Sequence, residues 1–458
     1  MPHETALSEI ETFLGDRLVR SKSDRALHGQ NEAWFPEMLP DAVAYPETTA
    51  EVARIVGICA RHGCPVTPWG AGSSLEGHAL AAGGGISLDM GRMNRILAIR
   101  AEDMQAVVQP GVTRRALARE LRATGLMFPV DPGADASLGG MAATRASGTT
   151  TVRYGTMRDN VMGLEVVLAD GRVIRTGSGA RKSAAGYDLT GLFVGSEGTL
   201  GIITELTLRL HGQPEAVTAA TCAFDDFEAA VATVIATIQM GIRMARIEFV
   251  DETTAAIFNR VNGTALPEKP HLMVEFHGSA RSAEEDAERF GEVVADHGGA
   301  GFAWAGTAEE RNRLWRMRHD AYRACLASRP GCIGLVTDIC VPISKLAEAV
   351  RETRADIAAS GLPGPIVGHV GDGNFHAALL IERGNAAELA TAKALAHRMA
   401  ERALRLGGTI TGEHGIGLGK KDLMALEHGA GWALMAQIKR ALDPAGILNP
   451  GKVVETKA

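Results

Sequence analysis

The sequence lacks several features that would assign the protein to a specialised class. It contains no run of eighteen apolar residues, so no membrane-spanning helix is predicted, although attachment at a membrane surface stays open. Its six cysteines show no Cys-x-x-Cys spacing and indicate neither a disulfide framework nor a zinc knuckle. Residues 1–17 carry four acidic side chains where a secretory signal needs a basic start. These absences favour a reduced, cytoplasmic compartment.

Positive charge is also scarce. The formal net charge is −7 and no basic run occurs, so nucleic acid is not expected as a partner. Glycine, in contrast, is abundant, with 54 residues clustered in loops, which indicates places where the backbone passes close to a ligand. The length of 458 residues predicts at least two hydrophobic cores.

Two histidines flank an Asp-Gly pair within residues 368–376. If Asp372 and Gly373 are the central pair of a two-residue hairpin turn, His369 and His376 become directly opposed across two strands. Directly opposed residues have Cβ atoms roughly 5 Å apart, which is close enough for both rings to bind one metal ion. The alternative is a hairpin whose histidines bond to backbone carbonyls.

A second glycine-rich segment, 411–417, sets Glu413 beside His414. Together the two segments predict a catalytic divalent-metal site in which His369, His376 and Glu413 are ligands and one position stays open. For the second segment alone, a polar glycine loop is the alternative.

The first half of the sequence contains a loop suited to phosphate. A predicted helix ends at Gly63, and the following loop, 68–78, combines three glycines with Ser73 and Ser74. Such a row of amides and hydroxyls can bind a pyrophosphate without side-chain charge. No Gly-Lys-Ser/Thr follows, which argues against a P-loop, and Leu75 stands where a dinucleotide fingerprint needs its third glycine. A plain surface turn is the alternative.

Two further segments of small residues, 131–148 and 195–203, would let the chain lie flat against an extended dinucleotide. The strands predicted around them alternate with one helix, 113–124, and this gives an α+β domain. Those strands are expected at 86–90, 96–99 and 106–108, with a hairpin over 164–174, and residues 195–203 open a further strand that continues through 210.

In their order along the chain, these motifs resemble the FAD-linked 2-hydroxyacid dehydrogenases of the vanillyl-alcohol-oxidase-like superfamily. The D-lactate dehydrogenases of the cytochrome-linked type are the nearest likeness. The resemblance rests on the loop at 70–78, on 131–141 and 195–203, on both histidine segments and on Leu448-Asn449-Pro450-Gly451-Lys452. It implies an α+β fold with a two-subdomain FAD-binding domain and a cap domain that contains an antiparallel sheet. The domains expected are 1–212 for FAD, 213–418 for the cap with the metal site, and 419–458 for a helical segment returning to the FAD domain.

The resemblance also implies which residues contact FAD. The pyrophosphate would be held by Pro68, Gly70, Ala71, Gly72, Ser73, Ser74 and Gly77. The rest of FAD would lie along Pro132, Gly133, Ser137, Gly140, Gly148, Glu197, Gly198 and Ile203, with Asn449 at the isoalloxazine edge. His78 joins this set, because several relatives tether the flavin to a histidine in this loop. A packing or phosphate-side histidine is the alternative there.

The second half predicts a helix-covered antiparallel sheet. Helices are expected at 227–239, 283–296 and 307–326, and strands at 246–250 and 271–276. On the last helix, Arg311, Trp315, Arg318 and Tyr322 share a face. The resemblance selects Arg318 as the clamp for the substrate carboxylate, which an arginine fork binds through two parallel hydrogen bonds. A solvated charged face is the alternative, and it is expected for Arg313, Arg316 and His319.

The size of the substrate follows from one position. Relatives that oxidise 2-hydroxyglutarate look to carry a lysine two residues before the aspartate that corresponds to Asp338, and here that position is Val336. A second carboxylate buried against valine would cost several kcal/mol. A monocarboxylate with a short or apolar tail is therefore expected, with D-lactate first.

The expected mechanism uses a Zn²⁺ or Mn²⁺ ion to make the substrate hydroxyl more acidic. His414 is the predicted base that takes the proton while hydride leaves C2 for flavin N5, and Asn374 would orient substrate or flavin. A fourth ligand or a hydrogen-bond donor behind the ligands is the alternative role for His414.

Several alternatives stay open at this level. The substrate could be D-2-hydroxyglutarate or glycolate, and the protein could be a flavin-free metal hydrolase or a non-catalytic FAD-binding subunit. The electron acceptor expected is a cytochrome, a quinone, an electron-transferring flavoprotein or dioxygen, and a homodimer is a further expectation.

Overall fold

The computed structural model describes residues 3–455, which form two compact units. Within the described residues, the first unit comprises 3–147, 156–213 and 413–455, and the second comprises Gly148–Gly155 and Pro214–Gly412. The expected domains, 1–212, 213–418 and 419–458, remain a proposal about which parts fold independently. Every helix within the described residues is too short or too polar to cross a membrane.

The first unit contains a four-stranded sheet in the order Leu18–Val19, Ala42–Ala44, Ile86–Asp89 and Val66–Trp69. Helices Glu4–Leu14 and Thr49–His62 pack on it through a shared apolar core. The second of these begins after Thr48, whose side chain caps it, and it stops at Gly63 with φ +62°, as the sequence predicts. Helix Lys22–His28 completes this part.

A second sheet in the first unit is antiparallel, with the order Ile96–Arg100, Gln105–Val108, Ile202–Arg209, Val161–Val167 and Val173–Gly177. Its core is packed by short helices and by the C-terminal helix. These helices are Arg114–Glu120, Leu138–Thr144, Met157–Asn160, Leu189–Phe193 and Ala430–Leu442, and helix Met424–His428 precedes the last of them. A two-stranded pair joins Leu126–Met127 to His211–Gly212. The strands predicted at 86–90, 96–99 and 106–108 are confirmed within one residue, and the strand predicted to continue through 210 ends at Arg209. The 164–174 hairpin is confirmed, with strands that extend three residues further at each end.

The second unit is built on one large antiparallel sheet. Its strands follow the order Ala300–Ala305, Ala216–Ala223, His271–Gly278, Met244–Val250, Ile366–Gly368, Asn374–Glu382 and Cys332–Val336, and Ile339–Cys340 also pairs with Asn374–Glu382. The helices are Thr151–Tyr154, Phe227–Gln239, Glu252–Asn262, Ala280–Asp296, Ala308–His319, Ala321–Ser328, Leu346–Ser360 and Ala386–Arg405. The helix-covered antiparallel sheet predicted for this half is confirmed.

One face of this sheet carries polar side chains. Cross-strand partners point to the same face, so the pairs Arg246↔Glu275, Val250↔Val367, Val367↔His376 and Val336↔Ala378 set one continuous face across five strands. Glu248, Glu275, His376 and Val336 all belong to it, since residues two apart on a strand share a face. We call it the polar face. Helix Ala308–His319 contacts it through Trp315 and Arg318.

The predicted single helix 307–326 is wrong. The chain forms helices Ala308–His319 and Ala321–Ser328, separated at Asp320, whose φ of −85° and ψ of 6° leave helical geometry. Trp315 and Arg318 are buried on the first helix, whereas Tyr322 lies on the second and packs against Gly334. The four residues therefore do not share one helical face.

Candidate functional site

The first unit contains a partly open cavity of about 230 Å³ between the loops that the sequence singles out. Among the residues predicted to contact FAD, it is lined by Pro68, Gly70, Ala71, Gly72, Ser73, Ser74, His78, Pro132, Ser137, Gly140, Glu197, Gly198, Ile203 and Asn449. Gly77 and Gly133 stand outside this lining, and Gly148 belongs to the second unit. Their roles remain predictions. The lining also includes Trp69, Met90, Pro110 and Thr144, which the sequence does not single out.

Glycines keep the walls of this cavity close together. A Cβ on Gly70 would lie 2.4 Å from Oγ of Ser137, and one on Gly198 would lie 2.4 Å from the ring of Pro68. Gly198 also has φ +68°, which other residues rarely adopt. Small residues at these positions let the segments approach closely, as binding of an extended dinucleotide along them would require.

His78 and Glu197 form a buried pair in the cavity wall. Nε2 of His78 lies 3.2 Å from Oε2 of Glu197, and neither ring nitrogen has a hydrogen-bond partner among the described residues. The Glu197 carboxylate accepts hydrogen bonds from the backbone N–H groups of Ile416 (2.6 Å) and Gly417 (2.8 Å). Burial favours its neutral form, but the His78 charge and these hydrogen bonds together hold the pKa of Glu197 below its ordinary value.

Asn449 closes the same wall, but its side chain is fully used by the protein. Its Nδ2 donates to the carbonyls of His78 (3.1 Å) and Glu197 (2.7 Å), and its Oδ1 accepts from Nζ of Lys452 (2.7 Å). Lys452 also donates to the Leu80 carbonyl, and burial lowers the pKa of this lysine to about 7. The Asn449 amide therefore holds the segments of His78 and Glu197 together, and its contact with the isoalloxazine edge remains a prediction.

Glu413 and His414 also line this cavity. Ser147 donates a hydrogen bond of 2.6 Å to Oε2 of Glu413, a partner that the sequence does not indicate. Gly415 follows with φ +78°, and a Cβ there would meet Glu197 and His78 at 2.7 Å. The glycine thus lets the chain turn beside the His78–Glu197 pair.

In the second unit, the predicted pairing of His369 with His376 is wrong. Strand Ile366–Gly368 pairs with Asn374–Glu382 in the register Val367↔His376, and a short 3-10 turn, Val370–Asp372, occupies the connection. The backbone N–H of Asn374 donates a hydrogen bond of 3.3 Å to the His369 carbonyl, and four residues lie between these two. The connection is therefore longer than a two-residue turn. Gly373 still adopts the left-handed conformation expected in a turn, with φ +76°.

The two imidazoles nevertheless lie side by side. Their ring centroids are 5.4 Å apart with planes at 82°, and both side chains are buried. Nδ1 of His369 lies 2.7 Å from Oε1 of Glu248, and Nδ1 of His376 lies 3.2 Å from the carbonyl oxygen of Thr337. Each acceptor requires a proton on Nδ1, which places the lone pair of each ring on Nε2. This arrangement is typical of histidines that bind metal ions.

Glu248 and Arg318 form an ion pair that sequence reasoning missed. Nη2 of Arg318 lies 2.6 Å from Oε2 of Glu248, and the contact is an ion pair whose geometry is not that of a hydrogen bond. Nε of Arg318 is buried and makes no hydrogen bond to any described residue, so this donor is available to an anionic ligand. Only the alternation of strand Met244–Val250 could have indicated that Glu248 points toward the polar face.

Asn374 is held by Asp338. Its Nδ2 donates to Oδ1 of Asp338 and to the carbonyl of Ile339, each at 2.8 Å, and Thr411 donates to the other oxygen of Asp338. Oδ1 of Asn374 is buried without a hydrogen-bond partner in residues 3–455. A Cβ on Gly412 would lie 2.2 Å from this amide, which explains the glycine there. Asn374 therefore offers an acceptor, in a defined direction.

Comparison with known proteins identifies both halves of the chain. Residues 40–177 match the model of an FAD binding domain, and residues 213–453 match the C-terminal domain of FAD linked oxidases. The fold is similar to that of p-cresol methylhydroxylase with substrate bound, with a TM-score of 0.81 and 20% identity over 99% of this chain and 97% of that chain. These findings confirm the expected fold class and define an FAD-dependent oxidoreductase.

Among curated proteins, a probable mitochondrial D-lactate dehydrogenase of Danio rerio is 47% identical over 99% of this chain and 92% of its own length. A mitochondrial cytochrome-type D-lactate dehydrogenase of Arabidopsis thaliana is 42% identical over 98% of this chain and 80% of its own length. The chain belongs to this family of FAD-linked dehydrogenases, so FAD is its cofactor.

Proposed function

We propose that the protein oxidises a D-2-hydroxy monocarboxylate, with D-lactate as the best candidate and pyruvate as its product, with the help of a divalent metal ion. The observation that carries this proposal is the pair of buried imidazoles beside Arg318. Both rings present Nε2 as their lone-pair nitrogen, and Arg318 keeps a buried donor for an anion. The names of the relatives in Danio rerio and Arabidopsis thaliana agree with this substrate.

His369 and His376 would hold Zn²⁺ or Mn²⁺, and Glu413 is proposed as the third ligand. The donor set of two imidazoles and one carboxylate suits either ion. When bound, the metal lowers the pKa of a coordinated hydroxyl group. Glu248 and the Thr337 carbonyl keep both rings in the tautomer that binding needs.

Arg318 and Asn374 would bind the substrate directly. Nε of Arg318 would donate to the carboxylate, and Oδ1 of Asn374 would accept a hydrogen bond from the substrate or from water in the site. Because Asp338 and the Ile339 carbonyl hold the Asn374 amide, this acceptor is oriented before the substrate arrives.

His414 is the proposed base for the hydroxyl proton. FAD, when bound, supplies the hydride acceptor. We expect that His414→Ala keeps FAD, because the cavity lining of the first unit is otherwise unchanged, but lowers kcat by at least 100-fold. The flavin absorbance of the purified variant and steady-state turnover would measure both effects. A kcat close to that of the wild type would remove His414 from the mechanism.

Val336 supports the choice of a monocarboxylate. It lies on the polar face, on the strand next to His376, where a lysine could reach the far end of a dicarboxylate substrate. With valine there, a second carboxylate would be desolvated without a partner.

The central experiment is anaerobic stopped-flow mixing of the FAD-loaded enzyme with D- and L-lactate, D-2-hydroxyglutarate and glycolate. The proposal predicts fast bleaching of the flavin band near about 450 nm with D-lactate, which slows after treatment with a chelator and recovers with Mn²⁺ or Zn²⁺. If bleaching is unaffected by metal removal, the metal-assisted mechanism fails. Faster bleaching by a dicarboxylate would contradict the substrate assignment.

We further propose a reducing compartment, the cytoplasm, with attachment at a membrane surface open, because the cysteines of the described chain are free thiols. The electron acceptor would be a cytochrome, a quinone or an electron-transferring flavoprotein, and a homodimer is the proposed assembly. Activity with each acceptor class and sedimentation of the purified protein would test these two points.

A further inference from the structure

Glu248 is among the most buried charged groups of the second unit, at 1% exposure. It stands on strand Met244–Val250, and its two oxygens have different partners. Oε1 lies 2.7 Å from Nδ1 of His369, and Oε2 lies 2.6 Å from Nη2 of Arg318. One carboxylate thus connects a proposed metal ligand with the proposed substrate clamp.

The contact with His369 has a chemical consequence. An ionised carboxylate can only accept hydrogen bonds, so Nδ1 of His369 must carry the proton and Nε2 the lone pair. The negative charge also makes the imidazole a stronger donor toward a cation.

The contact with Arg318 has a separate consequence. It fixes the position of the guanidinium and partly neutralises it, which offsets the cost of burying an arginine. Nε stays available for a ligand, since it makes no hydrogen bond to a described residue.

We propose that Glu248 is a positioning residue that orients His369 as an Nε2 metal ligand and at the same time holds Arg318 ready for the substrate carboxylate. The inference rests on the proposed metal-assisted function. It gives Glu248 a role in that function without contact to substrate or flavin. The proposal therefore predicts that a single substitution of Glu248 weakens the binding of both the metal cation and the substrate anion.

Glu275 provides a matched control. It is also a buried glutamate of the polar face, at 4% exposure, and it also contacts a histidine and helix Ala308–His319. Its oxygens lie 2.7 Å from Nε2 of His277 and 2.5 Å from Nε1 of Trp315. His277 is not a proposed ligand, because Tyr154 occupies its Nδ1 at 2.8 Å.

The experiment compares wild type, Glu248→Gln and Glu275→Gln as FAD-loaded, chelator-treated enzymes. Mn²⁺ is titrated into each protein, and the free ion is followed by electron paramagnetic resonance. Glu248→Gln is expected to weaken Mn²⁺ binding by roughly 10–100-fold and to raise KM for D-lactate, whereas Glu275→Gln keeps the wild-type Mn²⁺ affinity. Arg318→Gln should raise KM and leave Mn²⁺ binding near that of the wild type, which separates the two effects.

Three results would overturn the inference. Wild-type Mn²⁺ affinity in Glu248→Gln refutes it, and an equal loss in both glutamine variants shows a general effect on the fold. If the wild-type enzyme itself binds neither Mn²⁺ nor Zn²⁺, the metal-assisted function is refuted. This result differs from the failure of the Glu248 proposal alone, in which the wild-type enzyme does bind the metal. If Glu248→Gln does not fold, Glu248→Asp takes its place, because the shorter side chain cannot reach both His369 and Arg318. A wild-type Mn²⁺ affinity together with a wild-type KM for D-lactate in Glu248→Asp would contradict the proposal.

Discussion

At the scale of single residues, the ionisation of Glu197 in the cavity wall makes the stability of the protein depend on pH. Its φ of 55° and its two backbone hydrogen bonds hold the carboxylate against Ile416 and Gly417. Because the pKa of Glu197 is lower in the folded protein, its stabilising effect is present above the unfolded pKa of about 4.3 and is lost as pH falls through the folded pKa.

We therefore expect Glu197→Gln to lower the free energy of unfolding by roughly 1–3 kcal/mol at neutral pH, since its amide leaves one buried N–H without an acceptor. The gap between wild type and variant should begin to narrow below about pH 4.3, where the unfolded carboxylate takes up its proton, and should close only below the lower pKa of the folded carboxylate. Thermal unfolding of both proteins from neutral pH down through this acid range measures the gap. A gap that widens in acid would contradict the assigned charge.

Val336 carries a prediction about specificity. Val336→Lys should raise the activity toward D-2-hydroxyglutarate relative to D-lactate by at least tenfold, because the ammonium group can pair with the second carboxylate. Val336→Met is the control of similar length without charge, and it should not raise hydroxyglutarate activity. Competition assays with both substrates give the ratio directly. A gain in the methionine variant would assign the effect to size.

At the scale of secondary-structure elements, the turn between Gly368 and Asn374 shows where sequence reasoning succeeds and where it stops. The Asp-Gly pair does mark a turn, and the two rings do come together. The register differs because backbone bonds to neighbouring strands decide how many residues the connection contains, and those strands are distant in the sequence. The end of helix Thr49–His62 at Gly63 is confirmed, because the glycine that stops it is a local signal.

The loop 178–188 provides a prediction at the same scale. It connects strand Val173–Gly177 to helix Leu189–Phe193, all its residues are exposed, and Tyr187 is 96% exposed. We expect trypsin to cleave first after Arg181 or Lys182, because exposed loops with few hydrogen bonds are preferred sites. The two fragments should stay together, since strand Val161–Val167 on one side pairs with Ile202–Arg209 on the other.

Limited proteolysis followed by gel filtration and mass spectrometry tests this expectation. The double variant Arg181→Gln, Lys182→Gln should resist cleavage at this loop and keep the flavin. Rapid first cleavage inside the second unit would show that the loop is not the most accessible site.

At the scale of the whole molecule, the reactivity of the six cysteine thiols depends on how deeply the fold buries them. Burial raises the pKa of Cys222 and of Cys325 to about 12, and all six cysteines are free. We expect a thiol reagent to count six groups in denaturant but to react quickly in the native protein only with Cys332 and Cys340, which are partly buried. Fewer than six groups in denaturant would reveal a disulfide.

The fold class could be anticipated from motifs in sequence order, whereas the contacts that orient the site could not. Glu248 lies in a predicted strand and Ser147 in a segment of small residues, but neither side chain is marked as functional there, and each meets a predicted site residue more than a hundred positions away. Such pairs depend on sheet register and on loop packing, so no local pattern indicates them. The roles of Arg318 and Asn374 likewise became specific only when their partners, Glu248 and Asp338, were known.

The late position of Asn449 in the chain has a consequence for biosynthesis. Leu448 pairs in parallel with Val66, at the start of the strand that leads into the glycine-rich loop at 70–78, and Lys452 donates a hydrogen bond to the Leu80 carbonyl. A nascent polypeptide that still lacks residues 447–452 therefore has no finished wall on this side of the cavity. Tight capture of the coenzyme should thus wait until translation has passed this segment, and ribosome-bound chains stalled before it should remain colourless.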